Sequence, residues 1–350
     1  MAPINLPVTE QRFLLEDLLK QVSRSFYLTV AVMPKAVRKP IGVAYLFARA
    51  ADTITDTDLI DRSRRLLFLK QLRAQFADHR IDWAEVRSIR HALVPQQSDS
   101  GERRLLDHLE DCFRLYLDCK PEDQARIRKL MSTLINGMDM DLTMFPGDTV
   151  QDLTALPSFA DLDRYIYYVA GCVGEFWTEM VYGHLPSLRG WDVDEMLKIG
   201  VRFGKGLQLT NVLKDLARDA RRGRCYIPKA ALEEAGLRPS DILKKETRSA
   251  IQPILAELVR IARDHLDQGW LYTMAIPRHE IRLRLACMWP ILFAGETLRR
   301  LLTSPDLLDP SVNVKISKAQ VYGIMALTIL TGGCGYVGTA YWGRLRKMLG

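Results

Sequence analysis

FGKGLQLTNVLKDLARDARRGRCYIP, residues 203–228, is the stretch from which the fold is read. Taken as a helix of about 3.6 residues per turn, it places Gln208, Asn211, Asp215 and Asp219 on one face, their offsets being 0, 3, 7 and 11. That face is wholly polar. Leu207, Leu209, Val212, Leu213 and Leu216 cover much of the remaining circumference, which predicts a helix buried on several sides with two amides and two carboxylates turned inward. Buried aspartates four residues apart repel one another and need a cation or hydrogen-bond donors to compensate. Mg²⁺ suits them, because it is usually held by one or two carboxylates together with waters and substrate phosphates.

An isolated i, i+4 aspartate pair is more often a solvated helix face than a metal site. A second stripe shifts that balance. In YLFARAADTITDTD, residues 45–58, Tyr45, Arg49, Asp52 and Asp56 are offset by 0, 4, 7 and 11 and again share a helical face. Two helices that each aim a carboxylate pair out of apolar sequence predict a cavity with metal-binding walls and phosphate between them.

The 350 residues, 48% of them hydrophobic, are ample for a core of one large or two ordinary domains. The net charge of +7 fits nucleic acid, an anionic membrane or an acidic substrate equally. Basic residues are interspersed with acidic ones, and no RNA-binding signature, zinc-finger spacing or basic arm occurs, so nucleic acid is not an expected partner. Six scattered cysteines without a CxxC pair fit reduced side chains and a cytoplasmic setting. MAPINLPVTEQRF, residues 1–13, shows no secretory signal pattern.

Helical periodicity recurs at residues 9–23, 63–77, 102–119, 126–142, 161–183, 247–274 and 278–303, with no sustained period-two alternation, which predicts an all-α protein. SRSFYLTVAVMP, residues 23–34, sets Arg24 and Ser25 where they either bind phosphate or close a helix. PQQSDSG, residues 95–101, is polar and disorder-prone. In DLDRYIYYVAGCVGEFWTEMVYG, residues 161–183, Tyr165, Val169, Cys172 and Phe176 share a face that is either plain core or the lining of an apolar tunnel. Residues 319–343 are uncharged and precede a basic cap of Arg344, Arg346 and Lys347. Their six glycines keep the hydrophobicity moderate. The expectation is one catalytic domain over residues 1–318, its last core helix continuing to about residue 330. Residues 331–350 then contact a membrane surface through Tyr336, Tyr341 and Trp342.

Six blocks in order resemble the squalene/phytoene synthase family of prenyl transferases: SRSF (23–26), DTITD (52–56), LINGMDMDL (134–142), DLDRYIYYVAG (161–171), NVLKDLARD (211–219) and GRCYIP (223–228). The resemblance spans nearly the whole chain. It implies a helical isoprenoid-synthase bundle around a central cavity and a Mg²⁺-dependent head-to-head coupling of two prenyl diphosphates. By position, it implies that Asp52, Asp56, Asp215 and Asp219 hold Mg²⁺ and that Arg24, Ser25, Tyr45, Arg49, Gln208, Asn211 and Arg224 bind diphosphate, with Tyr165 at the reacting carbons. Thr55 and Lys214 depart from the residues common at those family positions. VNVKISKAQ (312–320) and ACMWPILFAGETL (286–298) resemble the subgroup that reduces the coupled product, which implies NADPH near Lys315 and Lys318 and squalene made from two farnesyl diphosphates. Dehydrosqualene or phytoene is the alternative product, and the oligomeric state stays open.

Overall fold

The computed structural model describes residues 6–23, 26–56, 60–77, 80–304, 314–333 and 335–350. Its contacts divide the chain into two compact units. One comprises residues up to Leu142 with Phe176–Pro186, and the other Thr143–Glu175 with Ser187–Gly350.

In the first unit, helix α1 (Lys35–Asp56) packs against α2 (Arg62–Ala74), α4 (Ser100–Asp107) and α5 (Leu109–Leu117), and α3 (Trp83–Leu93) packs on those three. Aspartates start three of these helices: Asp61 accepts from the Arg64 N–H, Asp82 from Ala84 and Glu85, and Asp99 from Gly101 and Glu102. Each such N-cap contributes about 1 kcal/mol. Val43, Leu46, Phe47, Ala50 and Ile54 of α1 are buried, and Phe47 packs on Phe113 with ring centroids 4.6 Å apart. The buried Arg65 donates to the Thr55 carbonyl at 3.3 Å and so occupies an orphan acceptor at the end of α1. The periodicity over residues 102–119 resolves into two helices, because the backbone turns at His108 (φ −96°, ψ 19°). Helix α6 (Pro121–Met144) follows, and its Asp123 accepts from His184 and Arg126 at 2.9 Å.

The second unit contains α7 (Phe159–Ile166), which passes through a π-helical turn (Tyr167–Gly171) into α8 (Cys172–His184), whose residues from Phe176 onward belong to the first unit. The interruption expected at Gly171 and Gly174 takes the form of this π-helical turn, which ends at Gly171. Helices α9 (Val193–Arg221), α10 (Arg248–Ala275) and α11 (Ile281–Thr303) form the body of this unit. Glycine sets the position of α9: a Cβ on Gly204 would lie 2.1 Å from the Ala170 carbonyl oxygen, and one on Gly174 would lie 1.9 Å from that of Gly200. Beyond α9, β2 (Arg224–Cys225) pairs in parallel with β1 (Thr154–Ala155), the only strand pair among the described residues. The all-α expectation holds.

Helices α12 (Lys318–Leu330) and α13 (Gly335–Met348) close the chain. No helix among the described residues is long and apolar enough to cross a membrane. The expected membrane contact through Tyr341 and Trp342 needs correction. Trp342 is 3% exposed and donates to Asp267 at 2.9 Å, and the Tyr341 hydroxyl donates to the buried Glu296 at 2.8 Å. Burying an indole and a phenol against carboxylate acceptors satisfies both their apolar and polar parts, so these residues dock α13 onto α10 and α11. Only Tyr336 of the three faces outward, at 84% exposure. On α12, the helix expected to be core, Tyr322, Leu327, Ile329 and Leu330 are exposed, against Tyr336 and Met348 on α13.

Candidate active site

The α1 stripe appears where the sequence places it. From residue 43 onward nearly every side chain of α1 is buried, and the openings are Tyr45, Ala48, Arg49, Asp52 and Asp56. Hydrophobic burial of the remaining faces thus fixes the rotation of the helix and with it the direction of the carboxylates. Arg49 Nη1 stands 3.6 Å from Asp52 Oδ2, and Arg49 Nη2 donates to Glu102 on α4. Burial pushes the Asp52 carboxyl up to about 7; the neighbouring Asp56 adds to the rise and Arg49 opposes it.

On α9 the second stripe is also open. Gln208, Lys214, Asp215 and Asp219 are half-buried and Asn211 is exposed, while Leu209, Val212, Leu213 and Leu216 are buried. Here the chain provides its own counter-ions. Arg218 Nη2 lies 3.0 Å from Asp215 and its Nε 3.5 Å from Asp219; Lys214 lies 3.4 Å from Asp215 and donates to the Asn211 side chain at 3.1 Å. Just beyond the helix, Gly223 adopts φ +77°, and a Cβ there would meet the Gly147 and Thr149 carbonyl oxygens at 2.8 and 2.9 Å. Only glycine serves that turn, which delivers the half-buried Arg224 into the strand pair.

Tyr165 is buried and stacks on Tyr226 with centroids 4.7 Å apart, its hydroxyl donating to that of Tyr226 at 3.2 Å. Phe145 meets Tyr226 edge-on at 5.1 Å, so the three rings form an aromatic wall. Arg24 and Ser25 lie outside the described residues. Lys315 and Lys318 are both exposed ahead of or at the start of α12. Their exposed ammonium groups offer charge to a phosphate.

Three contributors escaped the sequence reading. Glu102 sits beside the segment judged disorder-prone, although the Asp99-x-x-Glu102 spacing is a helix-start signal. Arg218 was readable only as one basic residue among several. Tyr226 lies within GRCYIP, where nothing local marks it as the partner of Tyr165, 61 residues away.

The donor chemistry fits a hard divalent cation. Each stripe supplies carboxylate oxygens, and a bound cation would offset both the burial and the Asp56 repulsion that raise Asp52. Among the described residues no three His, Cys, Asp or Glu side chains form a closed metal cage. A cation held by either stripe would complete its shell with phosphate and water oxygens.

Residues 19–320 match the sequence model described as Squalene/phytoene synthase. Squalene synthase of Cyberlindnera jadinii is 27% identical over 98% of this chain and 72% of its own length. Presqualene diphosphate synthase of Sinorhizobium fredii is 30% identical over 74% of this chain and 77% of its own. The bifunctional lycopene cyclase/phytoene synthase of Arthroderma gypseum is 29% identical over 70% of this chain, and the match spans 39% of that longer protein. A solved complex of TcSQS with the ligand BPH1237 shares the fold, with a TM-score of 0.78 at 21% identity over 97% of this chain and 91% of that one.

Proposed function

The chain belongs to the squalene/phytoene synthase family, and we propose that it couples two farnesyl diphosphates head to head to presqualene diphosphate and then reduces that product to squalene with NADPH. The observation that carries the reading is the pair of open carboxylate stripes on otherwise buried helices, which accounts for Asp52, Asp56, Asp215 and Asp219 together. Mg²⁺, when bound, neutralises charge developing on the diphosphate leaving group. Arg49, Gln208, Asn211 and Arg224, joined by Arg24 and Ser25, hold the diphosphates, and Tyr45 lies along the same stripe as Arg49. The aromatic wall of Tyr165, Tyr226 and Phe145 offers an apolar surface for the allylic carbons and keeps water from a carbocation.

The first coupling releases one diphosphate and a proton. The second step releases the other diphosphate and takes a hydride from NADPH. The near-complete match to a squalene synthase favours the reduced product, whereas the presqualene diphosphate synthase relative favours arrest after the first coupling. Purified protein given farnesyl diphosphate, Mg²⁺ and NADPH is expected to yield squalene by gas chromatography. Presqualene diphosphate alone, dehydrosqualene despite saturating NADPH, or phytoene formed only from geranylgeranyl diphosphate would each overturn the assignment.

The same reading includes a site of action at a cytoplasmic membrane surface. On α12, Tyr322, Leu327, Ile329 and Leu330 are exposed, Leu330 at 85%. Residues 311–350 contain no Asp or Glu but include Lys315, Lys318, Arg344, Arg346 and Lys347. Arg346 pairs with Asp267 at 2.8 Å, and an apolar helix face in a segment whose own charges are all positive suits an anionic lipid interface. Sedimentation with phosphatidylglycerol vesicles is expected for the wild type and lost in the Tyr322→Ser/Leu330→Ser double variant; equal sedimentation of both would remove α12 from the contact.

A further inference from the structure

Two carboxylates claim Arg49, and they do not share it equally. Nη2 donates directly to Glu102 Oε1, while Nη1 remains 3.6 Å from Asp52 Oδ2, an ion pair beyond ordinary hydrogen-bond distance. Glu102 is itself held in place: Oε2 accepts from Gln97 Nε2 at 3.2 Å, and its backbone N–H donates to the Asp99 cap at 2.9 Å. Its side chain is 18% exposed. Arg49 Nε is buried without a hydrogen-bond partner. A guanidinium settling only by its own contacts would not leave that donor unmet, so its orientation is imposed from outside, and α4 supplies the fixed group that imposes it.

We infer that Glu102 is a positioning residue for Arg49: by holding Nη2 it keeps the guanidinium from closing onto Asp52, so that Asp52 stays open to a cation while Nη1 faces an anion beside it. This rests on the proposal that the α1 stripe receives Mg²⁺ and diphosphate. Without Glu102, Arg49 and Asp52, three residues apart on one helix, pair with each other, and both ligands lose a partner. A charge effect alone behaves differently. Removing a distant negative charge weakens cation binding but strengthens anion binding, whereas lost positioning weakens both.

The test uses the full chain and calorimetric titration with Mg²⁺ and with inorganic pyrophosphate at fixed Mg²⁺, alongside thermal melts. Glu102→Gln, which keeps side-chain size, is expected to weaken pyrophosphate binding about tenfold, consistent with the loss of one charge-assisted contact. Glu102→Asp should recover part of that loss. In an Arg49→Gln background the Glu102→Gln change should have no further effect, since nothing is left to position. Unchanged or tighter pyrophosphate binding by Glu102→Gln, or the same loss in the Arg49→Gln background, would overturn the inference. Failure of the wild type to bind Mg²⁺ and pyrophosphate at all would overturn the reading of the stripe and this inference with it.

Discussion

Acidification should loosen the second unit through one histidine. His265 on α10 is buried, and its Nδ1 accepts from Arg202 Nε of α9 at 2.8 Å. Burial holds its pKa down at about 4, with the charges of Arg202 and Lys205 contributing. A neutral ring is required, because a protonated Nδ1 would face the Arg202 donor with a second N–H. In the unfolded chain the ring takes up a proton near pH 6.5. The unfolded state therefore binds more protons between these values, and the stability contributed by a neutral His265 is intact above about pH 6.5 and lost as pH falls toward 4. The full difference is about 3 kcal/mol, and about 2 kcal/mol is gone by pH 5. Urea unfolding of wild type and His265→Gln across this range isolates the contribution, because groups such as Asp52 titrate identically in both. Glutamine can still accept from Arg202 but cannot titrate. The wild type should lose about 2 kcal/mol more than the variant between pH 7 and pH 5, and parallel stability profiles would refute the reasoning.

Asp52→Asn and Asp219→Asn should melt at or above the wild-type temperature yet lose farnesyl diphosphate turnover by about 10²-fold or more, since each relieves like-charge repulsion while removing a metal ligand; near wild-type turnover at limiting Mg²⁺ would exclude the metal role. Gly204→Ala should destabilise by about 2 kcal/mol or more in denaturant titration, because the added Cβ meets a backbone carbonyl at 2.1 Å that cannot rotate away. Tyr226→Phe removes the acceptor of the Tyr165 hydroxyl and should cost about 1 kcal/mol of stability; a product distribution that also shifts, measured by gas chromatography, would place the tyrosine pair at the reacting carbons.

What could be read from the chain, and what could not, follows from the range of the interactions. The stripes on α1 and α9 were legible because they obey helical periodicity: once Leu209, Val212 and Leu216 must be buried, the directions of Asp215 and Asp219 follow from a fixed angle per residue. The same local logic gave the end of α12 at Leu330. It failed for the following helix, where an uncharged, aromatic, glycine-containing run resembled a membrane contact. The polar atoms of Trp342 and Tyr341 are instead satisfied by Asp267 and Glu296, 75 and 45 residues earlier, and no local pattern announces partners so distant.

Glu102 was hidden for the same reason, lying 53 residues from the arginine it holds. The contrast between the two stripes has a chemical consequence. On α9, Arg218 and Lys214 are helix neighbours of the carboxylates they neutralise and can turn to solvent or phosphate when a cation arrives. On α1 the neutralising arginine is tethered to a carboxylate on another helix, so it cannot withdraw as easily, and Asp52 keeps its raised pKa until a cation binds. The α9 carboxylates therefore exchange internal cations for an external one, while on α1 Asp52 gains a closer cation than Arg49, which stands 3.6 Å away. Mg²⁺ binding at α1 should release protons near pH 7, where burial and the neighbouring Asp56 leave Asp52 partly protonated. Calorimetry in buffers of different ionisation enthalpy should show that release diminished in Asp52→Asn relative to the wild type; undiminished release in the variant would refute the raised Asp52 pKa.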